Sequence, residues 1–226
     1  MKLCFIPARG GSRRIPRKNI LPFGGKPLIR WTIQAALASG LFQRVVVSSD
    51  DDEILAEALK SGAEPDSRPP ELGGDRVRFV EVLEEYLMRP GNRDEIDEVM
   101  VLLPTCPLRS ELDILAVEEL RRANPESFVV SICRYEFPPE FACDFDEATA
   151  VLATRRPEVY ARSTQSQSLA PAFHPNGAIF AGSVPRFLET KSFFISPVLG
   201  SLMPPERSLD LDYPHQWELA EKMIRK

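Results

Sequence analysis

The chain holds 226 residues, 43% hydrophobic and 27% charged, with a formal net charge of −5. That profile belongs to a globular protein with one good-sized core, and 12 glycines and 21 prolines fall short of the content that marks low complexity. The acidic balance argues against a general nucleic-acid binder, and no apolar run reaches the ~18 residues of a membrane helix. Met1–Ile6 passes into Pro7–Arg9 before a signal-peptide core could form, so a cytoplasmic protein is expected. Cys4, Cys106, Cys133 and Cys143 form no C-x-x-C pair, and three sit in or beside apolar runs. Buried free thiols fit this better than a zinc site or a disulfide frame.

Leu3–Ile6 predicts a short buried strand ending at Pro7. A polar stretch follows from Ala8 to Gly25, with Gly24-Gly25-Lys26-Pro27 read as a turn. Ile29, Ile33, Ala36 and Leu37 recur at helical spacing over Leu28–Ser39, with Gly40 as the stop. Val45–Val47 predicts a strand, and Ser48–Glu53 can cap the helix Ile54–Lys60, which Gly62 ends. Arg78–Met88 reads as a helix and Val99–Leu103 as a buried strand. Ser110 starts a helix to Arg122 with Asp113 in a capping-box position, and Ser127–Ile132 is the next strand. This strand–helix order predicts a Rossmann-like α/β fold, a mostly parallel sheet with helices on both faces and ligands at the strands' carboxyl ends. From Arg134 to Leu169, including the polar Ser163–Ser168, the helical period is lost. That predicts an excursion over 133–170, set against a main domain of 1–132 and 171–226. Asn176–Ala181 and Phe193–Ser196 read as returning strands, and Pro214–Arg225 as a closing amphipathic helix with Trp217, Ala220 and Ile224 on one side.

Two stretches carry chemistry. Pro7–Asn19 leaves the first strand with Gly10, Gly11 and five basic side chains, Arg9, Arg13, Arg14, Arg17 and Lys18. Glycines let backbone N–H groups turn toward an anion while Arg and Lys neutralise it, which suits a polyphosphate. Neither the Walker nor the G-x-G-x-x-G pattern is present, and a solvated basic loop is the plain alternative. Ser208-Leu209-Asp210-Leu211-Asp212 alternates, which places both carboxylates on one face of an extended segment suited to Mg²⁺; alternating surface acids are the plain alternative here. Phosphate clamps and a metal anchor in one site are what nucleotidyl transfer requires. A third stretch, Leu102–Ser110, presents Thr105 and Arg109 at the same rim, as a rigid binding loop or a mere connector.

At these residues the sequence resembles the acylneuraminate cytidylyltransferase family, which activates nine-carbon keto sugar acids (sialic, legionaminic and pseudaminic) as CMP derivatives. The likeness runs through Ile6–Asn19, Lys26-Pro27-Leu28, Val47–Asp52, Arg68–Leu72, Pro104–Arg109, Asn176–Phe180 and Ser208–Asp212, in family order and over nearly the whole chain. The long first motif is highly specific. The resemblance implies a GT-A-like nucleotidyltransferase fold and a division of labour. Ala8, Arg9, Gly10, Gly11, Ser12 and Arg13 would cradle the triphosphate of CTP, with Arg13 where the family usually has lysine. Lys18, Asn19 and Arg68 would complete the nucleotide site. Asp210 and Asp212 would hold Mg²⁺, and Arg9, Arg13, Lys18 and the two aspartates would be catalytic. Leu103, Thr105, Gln167, Asn176 and Gly177 would meet the sugar. A homodimer is implied, with the excursion reaching the partner's sugar site.

Leu103 stands where sialic acid members usually have glutamine, and Ser166 where they have arginine. Phe137–Ala142 and Thr164–Leu169 look closer to the pseudaminic branch, and His174–Ala178 to the sialic and legionaminic branch, so the sugar stays open. Two other readings compete: a cytidylyltransferase for another keto sugar acid such as an octulosonate, and a non-catalytic CTP-binding pseudoenzyme. His174 and His215 read as hydrogen-bonding or packing residues rather than catalysts, and no Ser–His or Cys–His constellation calls for a covalent intermediate.

Overall fold

Leu3, Cys4, Phe5 and Ile6 are all fully buried, because the strand that they form has a neighbour on each side and apolar clusters on both faces. The structure, a computed structural model, describes residues 1–161 and 165–224. In chain order the strands are β1 (Lys2–Pro7), β2 (Pro22–Phe23), β3 (Lys26–Pro27), β4 (Arg44–Ser49), β5 (Glu64–Ser67), β6 (Glu98–Leu102), β7 (Phe128–Arg134), β8 (Cys143–Asp146), β9 (Val151–Thr154), β10 (Phe173–Ser183) and β11 (Val198–Leu202). The helices are α1 (Leu28–Ala38), α2 (Asp52–Lys60), α3 (Phe79–Met88), α4 (Asn92–Glu95), α5 (Glu111–Ala123), α6 (Pro157–Ala161), α7 (Val184–Thr190) and α8 (Pro214–Ile224). The chain divides into two compact units, Met1–Ile132 with Pro175–Lys226, and Cys133–His174.

The larger unit is built on a seven-stranded sheet of order β11-β7-β10-β6-β1-β4-β5. β1 runs parallel to both β4 and β6, β4 parallel to β5, and β7 parallel to β11, while β10 is antiparallel to β6. From β1 the chain steps to β4 and β5 on one side and then crosses to β6 on the other. The loops leaving β1 and β6 therefore part at a topological switch point, where open α/β sheets bind ligands. One apolar layer gathers Ile29, Ile33, Ile54, Ala58, Ile114 and Val117 from α1, α2 and α5. The opposite layer gathers Val82, Leu83, Tyr86 and Leu87 from α3 with Phe187 from α7. A third, small cluster of Phe23, Leu28, Leu211 and Ala220 ties α8 to the β2–β3 hairpin.

The helices start where their caps stand. The Asp51 carboxylate accepts the N–H groups of Glu53 and Ile54 ahead of α2, and Ser110 with Asp113 forms a capping box ahead of α5. Asp113 also takes both Arg207 Nε and a second guanidinium N–H at 2.9 Å, which fixes the segment leading into the aspartates. Burial pushes the Asp113 carboxyl up, but Arg207 and the Ser110 donors outweigh it and hold the group below the ordinary carboxylate range. A depressed folded-state pKa contributes stability above the unfolded value, near 3.9, and loses it as pH falls through the folded value. Asp113→Asn is therefore expected to lower stability at pH 7 by about 1 kcal/mol and to flatten the acid limb of unfolding below about pH 4. Urea unfolding at stepped pH checks this.

One expectation needs correction here, and one strand was not foreseen. Phe193–Ser196 is not a strand. Phe193 instead plugs the core against Phe128 and Phe187, and the returning strand is β11, just beyond it. The segment is apolar because it fills a hole in the packing, not because it pairs. The polar edge strand β5 escapes sequence reading because Glu64, Pro65, Asp66 and Ser67 carry no apolar alternation, as edges often do not. All four cysteines are free thiols, with Cys4, Cys106 and Cys133 buried. The smaller unit holds the β8–β9 hairpin and α6. Of the stretches read there and at the C-terminus, Arg162, Ser163, Thr164 and Arg225 lie outside the described residues.

Candidate active site

The loop after β1 is anchored before it turns. The Ala8 N–H bonds the Ser48 carbonyl at 2.9 Å, and Ala8 is buried. The Gly10 N–H then donates to Asp50 Oδ1 at 3.1 Å, and a Cβ on Gly10 would lie 2.6 Å from the Asp51 carboxylate, so a side chain cannot be carried there. Gly11 faces open space. Past the exposed arginines the chain returns inward, burying Lys18 and Asn19. Asn19 Nδ2 holds the Arg9 carbonyl at 3.0 Å and leaves its own Oδ1 buried and unpartnered. Arg68, at the end of β5, is also buried and donates to Asp50 at 3.0 Å while its Nε has no partner. Burial pushes the Asp50 carboxyl up, yet Arg68 and the Gly10 N–H hold it below the usual range.

The aspartates arrive on a turn rather than on the extended segment expected. The Asp212 N–H reaches back to the Asp210 carbonyl at 3.1 Å, and the Leu211 N–H bonds the Thr105 carbonyl at 2.8 Å. Fully buried Leu211 pins the turn into the small cluster under α8, and burying such a side chain is worth about 1.5–3 kcal/mol. Alternation does put the leucine opposite the carboxylates, but it is burial of Leu211 rather than strand pairing that aims them. Lys18 Nζ donates to the Leu211 carbonyl at 2.7 Å and pairs with Asp212 at 2.9 Å, and Arg14 pairs with Asp212 at 2.6 Å while stacking over Tyr213. Thus the glycine loop and the aspartate turn face the same space.

That space is a cleft of about 230 Å³ lined by Arg9, Ser12, Lys18, Asn19, Arg68, Leu103, Thr105 and Asp212, with Leu72, Val77 and Phe79 as its apolar wall. A second hollow, of about 280 Å³, shares Arg9, Ser12, Lys18 and Asp212 and adds Arg13, Arg14 and Asp75. The two carboxylates differ in electrostatics. Burial raises the Asp210 carboxyl above the ordinary range; a Thr105 hydrogen bond partly offsets this and the Asp212 charge adds to it. Burial also raises Asp212, but Lys18 and Arg14 outweigh it and keep Asp212 ionised. Asp210 Oδ1 is buried without a hydrogen-bond partner. Two carboxylates on one turn, one with an orphaned oxygen, suit a hard cation that keeps waters and takes further ligands from a substrate. Among the described residues no group of three His, Cys, Asp or Glu side chains could cage a metal.

The far rim holds further residues. Gly177, at φ +76°, lets the chain turn beside Asp210 and Leu103, each just under 4 Å from where its Cβ would stand. Asn176 lies beneath that rim. Its Oδ1 accepts from Ser131 Oγ at 2.5 Å and from the Ala178 N–H, and its Nδ2 donates to Ser208 Oγ at 2.9 Å, so it ties the Asn-Gly turn to the start of the aspartate turn. Arg109 is buried, not presented at the rim. It donates to the carbonyls of Leu103 and Ala178 and to Thr32 Oγ1, bracing the loop after β6 from behind. Cys106 donates to the Asn176 carbonyl, and burial pushes its thiol up to about 12, which keeps it protonated. Gln167 is exposed on the smaller unit. Sequence reasoning missed Asp50 and Asp75. Asp50 was hidden in an acidic helix-capping run, and its partnership with Gly10 becomes visible only once β1 and β4 pair. Asp75 pairs with both Arg9 and Arg13.

An α/β sheet with a cationic glycine loop and a carboxylate turn meeting at its switch point defines a nucleotidyltransferase. The sequence profile described as Cytidylyltransferase matches residues 3–170, and the chain belongs to that family. It is 35% identical to the pseudaminic acid cytidylyltransferase of Campylobacter jejuni serotype O:2, over 99% of this chain and 96% of that protein. It is 32% identical to the CMP-N,N'-diacetyllegionaminic acid synthase of Legionella pneumophila, over 98% of this chain and 95% of that protein. Among solved structures, a CMP:2-keto-3-deoxy-manno-octonic acid synthetase complexed with CTP superposes with a TM-score of 0.71 at 18% identity, covering 99% of this chain and 98% of that one. The likeness is one of fold.

Proposed function

We propose that this enzyme transfers CMP from CTP to the anomeric hydroxyl of a nine-carbon 2-keto sugar acid of the sialic, legionaminic or pseudaminic type, releasing pyrophosphate. The observation that carries the reading is the meeting of the Arg9–Lys18 loop and the Asp210–Asp212 turn at one cleft, joined by Lys18 and Arg14 on Asp212. Full-length relatives named for two such acids support it.

In this reading the N–H groups around Gly10 and Gly11, with Ser12, Arg9 and Arg13, bind the triphosphate. The unpartnered Asn19 Oδ1 and Arg68 Nε, both buried at the cleft, meet polar atoms of the nucleoside. Leu103, Thr105 and Gly177 face the sugar acid, and Asn176 holds the turn behind them. The sugar hydroxyl oxygen attacks the α-phosphorus in line, the bond to the bridging oxygen breaks, and pyrophosphate departs. Arg9, Arg13 and Lys18 neutralise the charge that builds on the transferring and leaving groups. Asp210 and Asp212 would hold Mg²⁺, which supplies Lewis-acid stabilisation of phosphoryl oxygens when bound. No nucleophile of the protein is involved, consistent with the protonated Cys106.

The smaller unit exposes Phe137, Phe145, Val151 and Leu152, which supports a homodimer formed through it. Sedimentation of wild type against Phe145→Glu with Leu152→Glu tests that part. A cytoplasmic location, where CTP is made, belongs to the same proposal. No described helix is long and apolar enough to cross a membrane. The whole reading is tested by mixing the protein with CTP, Mg²⁺ and a panel of nonulosonic acids plus an octulosonate. Pyrophosphate release with at least one nine-carbon acid is the expected result. Release with the octulosonate alone, or CTP binding without turnover on any acid, refutes it.

A further inference from the structure

We propose that Asp75 is the cleft's own counter-anion: it holds Arg9 and Arg13 when no polyphosphate is bound, yields them to the triphosphate, and takes them back as pyrophosphate leaves. The proposal rests on the cytidylyltransferase reading above. Asp75 Oδ1 accepts from Arg9 at 2.6 Å, and its other oxygen pairs with Arg13. One carboxylate thus engages two of the cations placed on the phosphate loop. The remaining loop cations also have internal acids, Arg14 and Lys18 on Asp212, Arg17 on Asp51 and Glu53. The resting loop is therefore largely charge-compensated despite its composition.

Asp75 is brought there by construction. It sits in a turn closed by the Val77 N–H on the Gly74 carbonyl, between the residues that end at Gly73 and the start of α3. A Cβ on Gly73 would come 2.6 Å from the Asp50 carboxylate, the same group that accepts the Gly10 N–H. The strap carrying Asp75 and the loop carrying Arg9 therefore lean on one residue. The pairing is also suited to being broken. The Asp75 and Arg9 side chains are 34% and 38% exposed and Arg13 is 82% exposed, a setting in which an ion pair is weak. A triphosphate brings several charges and displaces a single carboxylate. Pyrophosphate, once formed, must leave the same arginines, and a tethered carboxylate at millimolar or higher effective concentration competes for them. Asp75 touches no reacting atom, so it is a positioning residue that lowers polyphosphate affinity in exchange for turnover.

The test is calorimetric titration of the full-length protein with CTP and, separately, with inorganic pyrophosphate, for wild type and Asp75→Asn. Both anions are expected to bind the variant about threefold to tenfold more tightly. The gain should shrink between about 50 mM and 500 mM salt, as a screened competition requires. In steady state, pyrophosphate becomes a stronger product inhibitor and kcat falls while the KM for CTP falls with it. A purely structural role, in which Asp75 merely props Arg9, moves binding in the opposite direction. Unchanged or weaker binding of both anions by Asp75→Asn overturns the proposal and leaves the cytidylyltransferase reading standing. Failure of wild type to bind either anion removes both.

Discussion

Asp210→Asn is expected to cut pyrophosphate release about a thousandfold while leaving the protein as stable as before or slightly more so. The two effects have one cause. Burial and the neighbouring Asp212 charge raise the Asp210 carboxyl, so the ionised form costs folding energy at pH 7, and its Oδ1 lies buried with nothing to bond. Groups held at such a cost are concentrated at sites of chemistry. Asparagine keeps the volume and can still accept from Thr105, but it removes the charge a cation needs. Thermal unfolding at an unchanged or higher midpoint, with turnover lost, is the result that assigns the group to catalysis. Turnover within tenfold of wild type refutes the assignment.

Lys18→Met is the second large effect, a fall in kcat of about a hundredfold to a thousandfold. Lys18 Nζ is the point at which the loop grips the turn, through the Leu211 carbonyl and Asp212. Removing it leaves that carbonyl without its donor and Asp212 held by exposed Arg14 alone, at a stability cost of about 1–3 kcal/mol. Lys18→Arg should not rescue it, since a planar guanidinium does not fit a site that leaves lysine 8% exposed. Rapid-quench measurement of CMP transfer separates the chemical step from binding. Normal transfer in either variant would place Lys18 outside the machinery.

Much of the framework was readable from the chain. The apolar runs and caps marked β1, β4, β6, α1, α2 and α5 within a residue or two. Burial on both faces makes such strands continuously apolar, and Asp51, Ser110 and Asp113 cap through short local bonds. The glycine loop was legible because so many cations beside glycines, in an acidic chain, are costly to place anywhere but at an anion. The aspartate couple was legible as a pair, but its geometry was not. Alternation suggests a strand, whereas Leu211 is drawn into a cluster with Phe23 and Leu28, nearly two hundred positions away. Phe193 misled for the same reason, since an apolar side chain looks alike whether it pairs in a sheet or plugs a core.

Composition and local pattern determined the α/β class, the cationic glycine loop and the pair of aspartates near the end of the chain, because these depend on charge, turn chemistry and periodicity over a few neighbouring residues. Tertiary structure alone decided that Lys18 meets Asp212, that Asp50 carries both Gly10 and Arg68, that Arg109 and Asn176 brace the rim from beneath, and that Asp75 occupies the arginines. Those are encounters between segments far apart in sequence. They are set by the order of strands in the sheet and by what each side chain finds when it is buried, and no local rule encodes either.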